Sequence, residues 1–131
     1  MTLITWSDEL KRGIGFQDDD HEEAVKVMNA LQTCTDEELP ALFDQLHSHT
    51  KEHLDRENEL MVRIRFFAIE VHKGEHDRVL AEMQSFKEKL DAGEIAEVRK
   101  YVEETVPEWF INHLNTMDTA TAQFARQHGE T

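Results

Sequence analysis

Residues 72–76 read HKGEH, with two histidines four positions apart and a glutamate directly before the second. As H-x-x-E-H, the segment has the spacing of an inverted zinc-peptidase motif, in which both histidines bind zinc and the glutamate is the general base. As H-x-x-x-H, it offers two ligands from one face of a helix to a larger metal site, since four residues make about one turn. The rest of the chain must decide between these two interpretations.

Further histidines and carboxylates interrupt the apolar positions of other segments. His53 and Glu57 are again four residues apart, and His21 follows the same helical phase as the apolar residues after it. His113 and Asp118 are five apart, a step that leaves two side chains about 140° apart on a straight α-helix. We therefore predict a π-type irregularity between 113 and 118.

Together, these segments supply five histidines and two carboxylates. That is too many ligands for a tetrahedral zinc ion, but it suits two metal ions with both carboxylates bridging them. Imidazole and carboxylate ligands suit iron. Seven buried polar side chains without a metal would be costly, so the spacing favours a two-metal site over the peptidase motif.

Composition limits the other possibilities. The 131 residues suit one domain, and only five glycines and two prolines occur, which favours helices. A net charge of -14 argues against nucleic acid and anionic membranes as partners. No apolar run is long enough to span a membrane, and the N-terminal residues lack the cationic lead and apolar stretch of a secretory signal, so we expect neither feature. The single cysteine, Cys34, fits a reducing compartment, so we expect a cytoplasmic protein.

Hydrophobic periodicity predicts an all-α fold, an up-down-up-down four-helix bundle formed by residues 1–131 as one domain. An N-terminal arm covers 1–19, the first helix opens after the acidic run 18–20, and 119–131 is a C-terminal tail. The third helix spans 69–91.

Particular residues mark the helix ends. Thr35 and Glu38 form a capping-box pattern, although Pro40 allows the second helix to begin nearer Leu39. Gly93 ends the third helix. Pro107 lies inside the fourth helical pattern and predicts a kink or break there.

Six segments together resemble the hemerythrin family, in particular its single-domain bacterial members. They are W at 6, GI at 13–14, DDDH at 18–21, HLDRE at 53–57, HKGEH at 72–76 and WFINHLNTMD at 109–118. These segments extend over nearly the whole chain. One departure is Asp20, where the family often has glutamine before the first histidine.

The resemblance implies two non-haem iron ions joined by a bridging oxo or hydroxo group. It also implies reversible O2 binding at the open position of the second ion, for oxygen transport, storage or delivery rather than catalysis. The implied ligands are His72, His76 and His113 for a six-coordinate iron, His21 and His53 for a five-coordinate iron, and Glu57 and Asp118 as bridges.

A histidine-rich site favours reversible binding, provided that the O2 pocket excludes water. Apolar residues one turn from the ligands are candidates for its wall: Ala24, Leu54, Phe110 and Leu114.

Other roles for the same site are sensing of oxygen, nitric oxide or redox state, and iron handling. We expect a monomer, with an oxygen-consuming enzyme as a possible recipient. His47, His49 and His128 are expected to face solvent, and Cys34 to be a plain thiol.

Overall fold

The computed structural model describes residues 3–131, and within this range it contains no strand, one short 3₁₀ helix in the arm (Asp8–Leu10) and four longer helices. They are α1 (Gly15–Thr33), α2 (Leu39–Arg63), α3 (Ile69–Asp91) and α4 (95–127). Short links at 34–38, 64–68 and 92–94 join them, each helix packs on the next, and α4 also packs on α1. The fold is the predicted up-down-up-down bundle, and none of the helices described is long and apolar enough to cross a membrane.

The fourth helix changes its winding twice. It consists of α-helical Ile95–Lys100, π-helical Tyr101–Thr105, α-helical Val106–His113, π-helical Leu114–Asp118 and α-helical Thr119–Gln127. The second π segment lies where the five-residue spacing of His113 and Asp118 predicted an irregularity, so that prediction is confirmed. A π turn takes more residues than an α turn, which brings positions five apart onto one face.

Two apolar clusters divide the bundle along its length. The larger cluster includes Val25, Leu46, Met83 and Phe110, and the smaller one includes Ile14. Other members of the smaller cluster are Leu60, Met61, Ile64, Phe66, Ala122 and Ala125. On each helix, the histidines and carboxylates selected above fall between residues of the two clusters. The apolar packing therefore encloses a polar layer.

The first helix begins earlier than predicted. It starts at Gly15, so the arm ends at residue 14 and not at 19, and Met1 and Thr2 of the arm lie outside the described residues. Asp18 was expected at the helix start, but it lies within the first turn. Its carboxylate accepts hydrogen bonds from the backbone N–H groups of Arg12 and Gly13, at 2.7 and 3.1 Å. It therefore ties the arm back onto the helix.

The C-terminal segment was predicted as a tail and is instead helical. α4 continues to Gln127, and Thr121, Ala122 and Ala125 are buried on its inner face. These side chains are small and one of them is a threonine, so they do not stand out in the sequence as core residues, although the segment is amphipathic. They nevertheless allow the helix to pack closely on the neighbouring helices.

Pro107 does not end α4. The carbonyl of Glu103, four residues earlier, would accept the backbone hydrogen bond that proline cannot donate. Instead it accepts a hydrogen bond from Gln32 Nε2 on α1, at 2.9 Å. The predicted disruption takes the form of the π segment that precedes Pro107.

The start of α2 and the end of α3 agree with their predicted signals. Thr35 and Glu38 form the reciprocal pair of a capping box, and the α-helix itself starts at Leu39. α3 spans Ile69–Asp91 as predicted. Gly93 follows with a φ of 82°, and the N–H of Glu94 bonds the carbonyl of Lys89, as in a glycine-terminated helix.

Candidate metal centre

All four helices send predicted ligands into the polar layer. α1 carries His21, α2 carries His53 and Glu57, α3 carries His72 and His76, and α4 carries His113 and Asp118. Each of the seven side chains is at least nine-tenths buried. The helix turns that separate His53 from Glu57 and His72 from His76 point each pair inward together.

The seven residues form two groups in which one nitrogen or oxygen of each residue lies within 4.8 Å of the others. Both groups are suited to hold a metal ion, and both contain Glu57 and Asp118. The larger group adds His72, His76 and His113, and the smaller group adds His21 and His53.

Asp118 faces both groups with different oxygens. Its Oδ1 lies 3.1 Å from Nε2 of His72 and 3.1 Å from Nε2 of His113. Its Oδ2 lies 3.0 Å from Nε2 of His21. A carboxylate placed in this way can bind one cation through each oxygen.

Glu57 also lies between the groups. Its Oε1 is 3.1 Å from Nε2 of His53 and 3.4 Å from Nε2 of His76. Its Oε2 accepts a 2.6 Å hydrogen bond from Nε2 of Gln17, on α1. The amide of Gln17 therefore fixes the orientation of this carboxylate.

The donor atoms fit a bound metal. Nε2 of His21, His53 and His76 and Oε1 of Glu57 are buried and have no hydrogen-bond partner among the described residues. Buried polar atoms without partners destabilise a fold, and these four point towards the shared interior. Their chemistry, imidazole nitrogen and carboxylate oxygen, is that of transition-metal ligands.

The outer nitrogens of three histidines have acceptors. Nδ1 of His53 bonds Asp20 Oδ2 at 2.9 Å, and Nδ1 of His72 bonds the Thr121 hydroxyl at 2.7 Å. Nδ1 of His76 bonds Asn58 Oδ1 at 2.8 Å. An acceptor at Nδ1 keeps the proton there and leaves the lone pair of Nε2 facing the interior, as metal ligation requires.

Charges in the polar layer agree with this arrangement. Burial acts to raise the pKa of Asp118, but the close approach of the His113, His21 and His72 imidazoles, at 3.0–3.1 Å, holds it well below its usual value. Burial lowers the pKa of His76 to about 3. Burial also opposes protonation of His53, yet Glu57 and Asp20 raise its pKa to about 10. The shifts at Asp118 and His53 show that the carboxylates attract positive charge into this buried layer, and a bound cation would supply that charge.

A cavity of about 30 Å³ adjoins the smaller group. That volume exceeds the space that one water molecule needs. Three of the predicted pocket residues line it, namely Ala24, Leu54 and Phe110. The fourth, Leu114, is buried in the larger apolar cluster and is not among the lining residues. The remaining lining residues are His21, His49, Thr50, His53, Trp109, His113 and Asp118.

Two of the three remaining histidines differ from expectation. His49 was expected to face solvent, but it is partly buried and its Nε2 lies 2.9 Å from the carbonyl oxygen of Asp20. His47 is also partly buried, against the ring of Phe43. His128 is exposed as predicted. Cys34 is a free thiol, partly buried beside Arg99.

The glutamate of the H-x-x-E-H segment does not face the cluster. The Glu75 carboxylate pairs with Arg78 at 2.6 Å and accepts a hydrogen bond from Trp109 Nε1 at 2.9 Å. It belongs to neither metal-binding group. The peptidase interpretation, which requires this glutamate as general base, is therefore not supported.

Sequence reasoning did not find the side chains that orient the ligands. Gln17 lies one turn before His21 on the same buried face, so its spacing was an available signal. Asn58 and Thr121 lie on helices other than those of the histidines that they bond. No local pattern identifies such contacts, because they depend on how the helices are packed.

The fold and the buried histidine and carboxylate groups define a four-helix bundle with an interior site that could hold metal ions. Residues 12–125 match the family described as "Hemerythrin HHE cation binding domain". The chain therefore belongs to the hemerythrin family.

Curated relatives and a solved structure agree with this membership. The chain is 30% identical to a bacteriohemerythrin of Ralstonia nicotianae, over 98% of this chain and 93% of that protein. It is 32% identical to a bacteriohemerythrin of Aquifex aeolicus, over 86% and 90%. The crystal structure of a wild-type hemerythrin superimposes with a TM-score of 0.86 at 26% identity, covering 95% of this chain and 98% of that one.

Proposed function

We propose that this protein binds O2 reversibly at a pair of iron ions held in the polar layer. The observation that carries the proposal is the sharing of Glu57 and Asp118 by two adjacent ligand groups. Two shared carboxylates are what a pair of neighbouring cations needs, since each carboxylate can neutralise both. Membership of the hemerythrin family supports iron as the metal and O2 as the ligand.

The two groups differ in their number of histidines. His72, His76 and His113 would hold one iron, whereas only His21 and His53 would hold the other. The cavity adjoins the group with fewer histidines. An open position beside a small cavity suits a diatomic ligand. When bound, the iron pair would supply the two electrons that O2 accepts and returns reversibly.

The protein itself would position the ligands and exclude water. Hydrogen bonds to Asp20, Thr121 and Asn58 fix three imidazole rings, and Gln17 fixes Glu57. Apolar side chains at the cavity wall limit the entry of water and protons to the site. Phe110 packs edge-on against the ring of His21, with centroids 5.4 Å apart.

The balance of ligands favours a carrier over an oxidase. Oxygen-activating di-iron bundles use four glutamates and two histidines, whereas this cluster has two carboxylates and five histidines. Fewer anionic ligands stabilise high oxidation states of iron less well, so release of unchanged O2 is the expected outcome.

The test is a spectroscopic cycle on protein that has been loaded with iron. The reduced protein is prepared without oxygen, exposed to air and then returned to an oxygen-free atmosphere, while absorbance and iron per chain are measured. Two irons per chain and a visible charge-transfer band that appears and disappears reversibly support the proposal. A band that bleaches irreversibly, or less than one iron per chain, contradicts it.

A further inference from the structure

One carboxylate oxygen outside the ligand groups accepts three hydrogen bonds. Oδ2 of Asp20 lies 2.9 Å from Nδ1 of His53, 2.9 Å from Nε of Arg56 and 2.8 Å from Nη2 of Arg56. Its side chain is 16% exposed. A largely buried carboxylate with two such partners is held in a single orientation.

Asp20 contacts both helices that carry the smaller ligand group. It directly precedes His21 on α1, and its side chain bonds His53 on α2. Its carbonyl oxygen also lies 2.9 Å from Nε2 of His49, one turn before His53. His49 and His53, two of the histidines that line the cavity, are therefore both bonded to this one residue.

The three acceptors at Nδ1 differ in charge. His53 bonds a carboxylate, whereas His72 bonds the hydroxyl of Thr121 and His76 bonds the amide oxygen of Asn58. An anionic acceptor polarises the Nδ1–H bond more strongly and makes Nε2 a stronger electron donor. His53, in the smaller group beside the cavity, is therefore a stronger electron donor than His72 or His76 in the larger group.

We propose that Asp20 is a positioning residue that orients His53 and raises its donor strength towards the metal beside the cavity. This inference rests on the proposed function of the site. Arg56 holds the Asp20 carboxylate in place and offsets part of its charge. The consequence is a lower reduction potential for the iron pair, because stronger donation stabilises the ferric state.

The experiment compares three variants with the wild type. Asp20→Asn keeps an acceptor of the same shape but removes the charge, and Asp20→Ala removes both. Asp19→Asn is the matched control, since Asp19 is the neighbouring residue and is exposed. The measurements are iron affinity in competition with a chelator, the midpoint potential of the iron pair, and helical content by circular dichroism.

We expect Asp20→Ala to weaken iron binding about tenfold or more, the scale for loss of a ligand's hydrogen-bond partner. Asp20→Asn should bind iron nearly as well as the wild type but with a raised midpoint potential. A purely structural role for Asp20 would not separate these two quantities. Asp19→Asn should match the wild type in both.

The results that would contradict the inference about Asp20 differ from those that would contradict the proposed function. If the wild type binds two irons and O2, but both Asp20 variants match its potential and affinity, the inference about Asp20 is wrong and the proposed function stands. If Asp19→Asn raises the potential as much as Asp20→Asn, general surface charge explains the effect and the inference is also wrong. If the wild type binds no iron pair, the proposed function fails and the inference fails with it.

Discussion

Nε2 of His113 and Oδ1 of Asp118 lie 3.1 Å apart, although five residues separate them on one helix. The π-helical segment Leu114–Asp118 begins directly after His113 and makes this approach possible. The hydroxyl of Thr119 donates a 2.7 Å hydrogen bond to the carbonyl of Leu114, five residues earlier, which stabilises the wide turn. The irregular winding of α4 thus brings both residues to the same interior.

Replacement of His113 tests the larger ligand group. We expect His113→Ala to lose most of its bound iron, because the variant removes one of three histidines from that group. The matched control is His128→Ala, since His128 is exposed just after the end of α4 and belongs to neither group. Iron per chain after purification is the measurement, and equal iron content in the two variants would contradict the assignment.

Removal of iron should destabilise the fold. Without cations, the polar layer contains buried nitrogen and oxygen atoms that have no hydrogen-bond partner within residues 3–131. Binding to the folded state alone adds about 2.7 kcal/mol when free metal is one hundred times its dissociation constant. Chemical denaturation with and without a chelator measures the difference. An unchanged unfolding midpoint would show that iron does not bind preferentially to the folded state.

The apolar wall of the cavity can be tested with two leucines on one helix. Leu54 lines the cavity and Leu46 lies in the larger apolar cluster, and both are 2% exposed. Replacement of either by alanine should reduce stability by about 2–5 kcal/mol. Only Leu54→Ala should also speed autoxidation several-fold in air, because water gains access to the site. Equal rates in both variants would count against a protective role for this wall.

Trp109 should report on the metal. Its ring stacks on that of His113, with centroids 4.6 Å apart and an angle of 15° between planes. Iron bound to His113 would therefore quench its fluorescence. The chain has one other tryptophan, Trp6. Quenching on addition of iron should persist in Trp6→Phe and disappear in Trp109→Phe, and the reverse pattern would place the iron elsewhere.

Ionisation of the buried Tyr101 side chain should destabilise the protein at alkaline pH. Burial, together with the charge of Glu82, raises the pKa of this single tyrosine. The neutral phenol contributes fully to stability below the pKa of the unfolded state, about 10. This contribution is lost as the pH rises towards the higher pKa of the folded state. The free energy of unfolding should therefore decrease above about pH 10 more steeply in the wild type than in Tyr101→Phe.

The same substitution has a second expected result. The hydroxyl of Tyr101 has no hydrogen-bond partner among the described residues, and its ring stacks on Phe86 at 3.9 Å. At neutral pH, Tyr101→Phe should change stability by no more than about 1 kcal/mol. Denaturation curves at the two pH values provide both comparisons. A large loss at neutral pH would reveal a partner for the hydroxyl.

The sequence by itself determined the four helices and which faces of them turn inward. His53 with Glu57, and His72 with His76, needed only the four-residue period of a helix. The odd spacing of His113 and Asp118 was sufficient to predict a π segment, because only a wider turn brings both to one face. These features depend on neighbouring residues along the chain.

Tertiary structure alone decided the rest. The first helix starts three residues before the acidic run, since Asp18 bonds the arm instead of capping a helix after it. The helical residues after 118 were missed because the side chains buried there, Thr121, Ala122 and Ala125, are small and do not stand out as core residues. Asp20 reaches His53, and Thr121 reaches His72, only through the relative rotation and depth of packed helices. Local periodicity sets which face of a helix is buried, but it does not set which residue of another helix stands opposite.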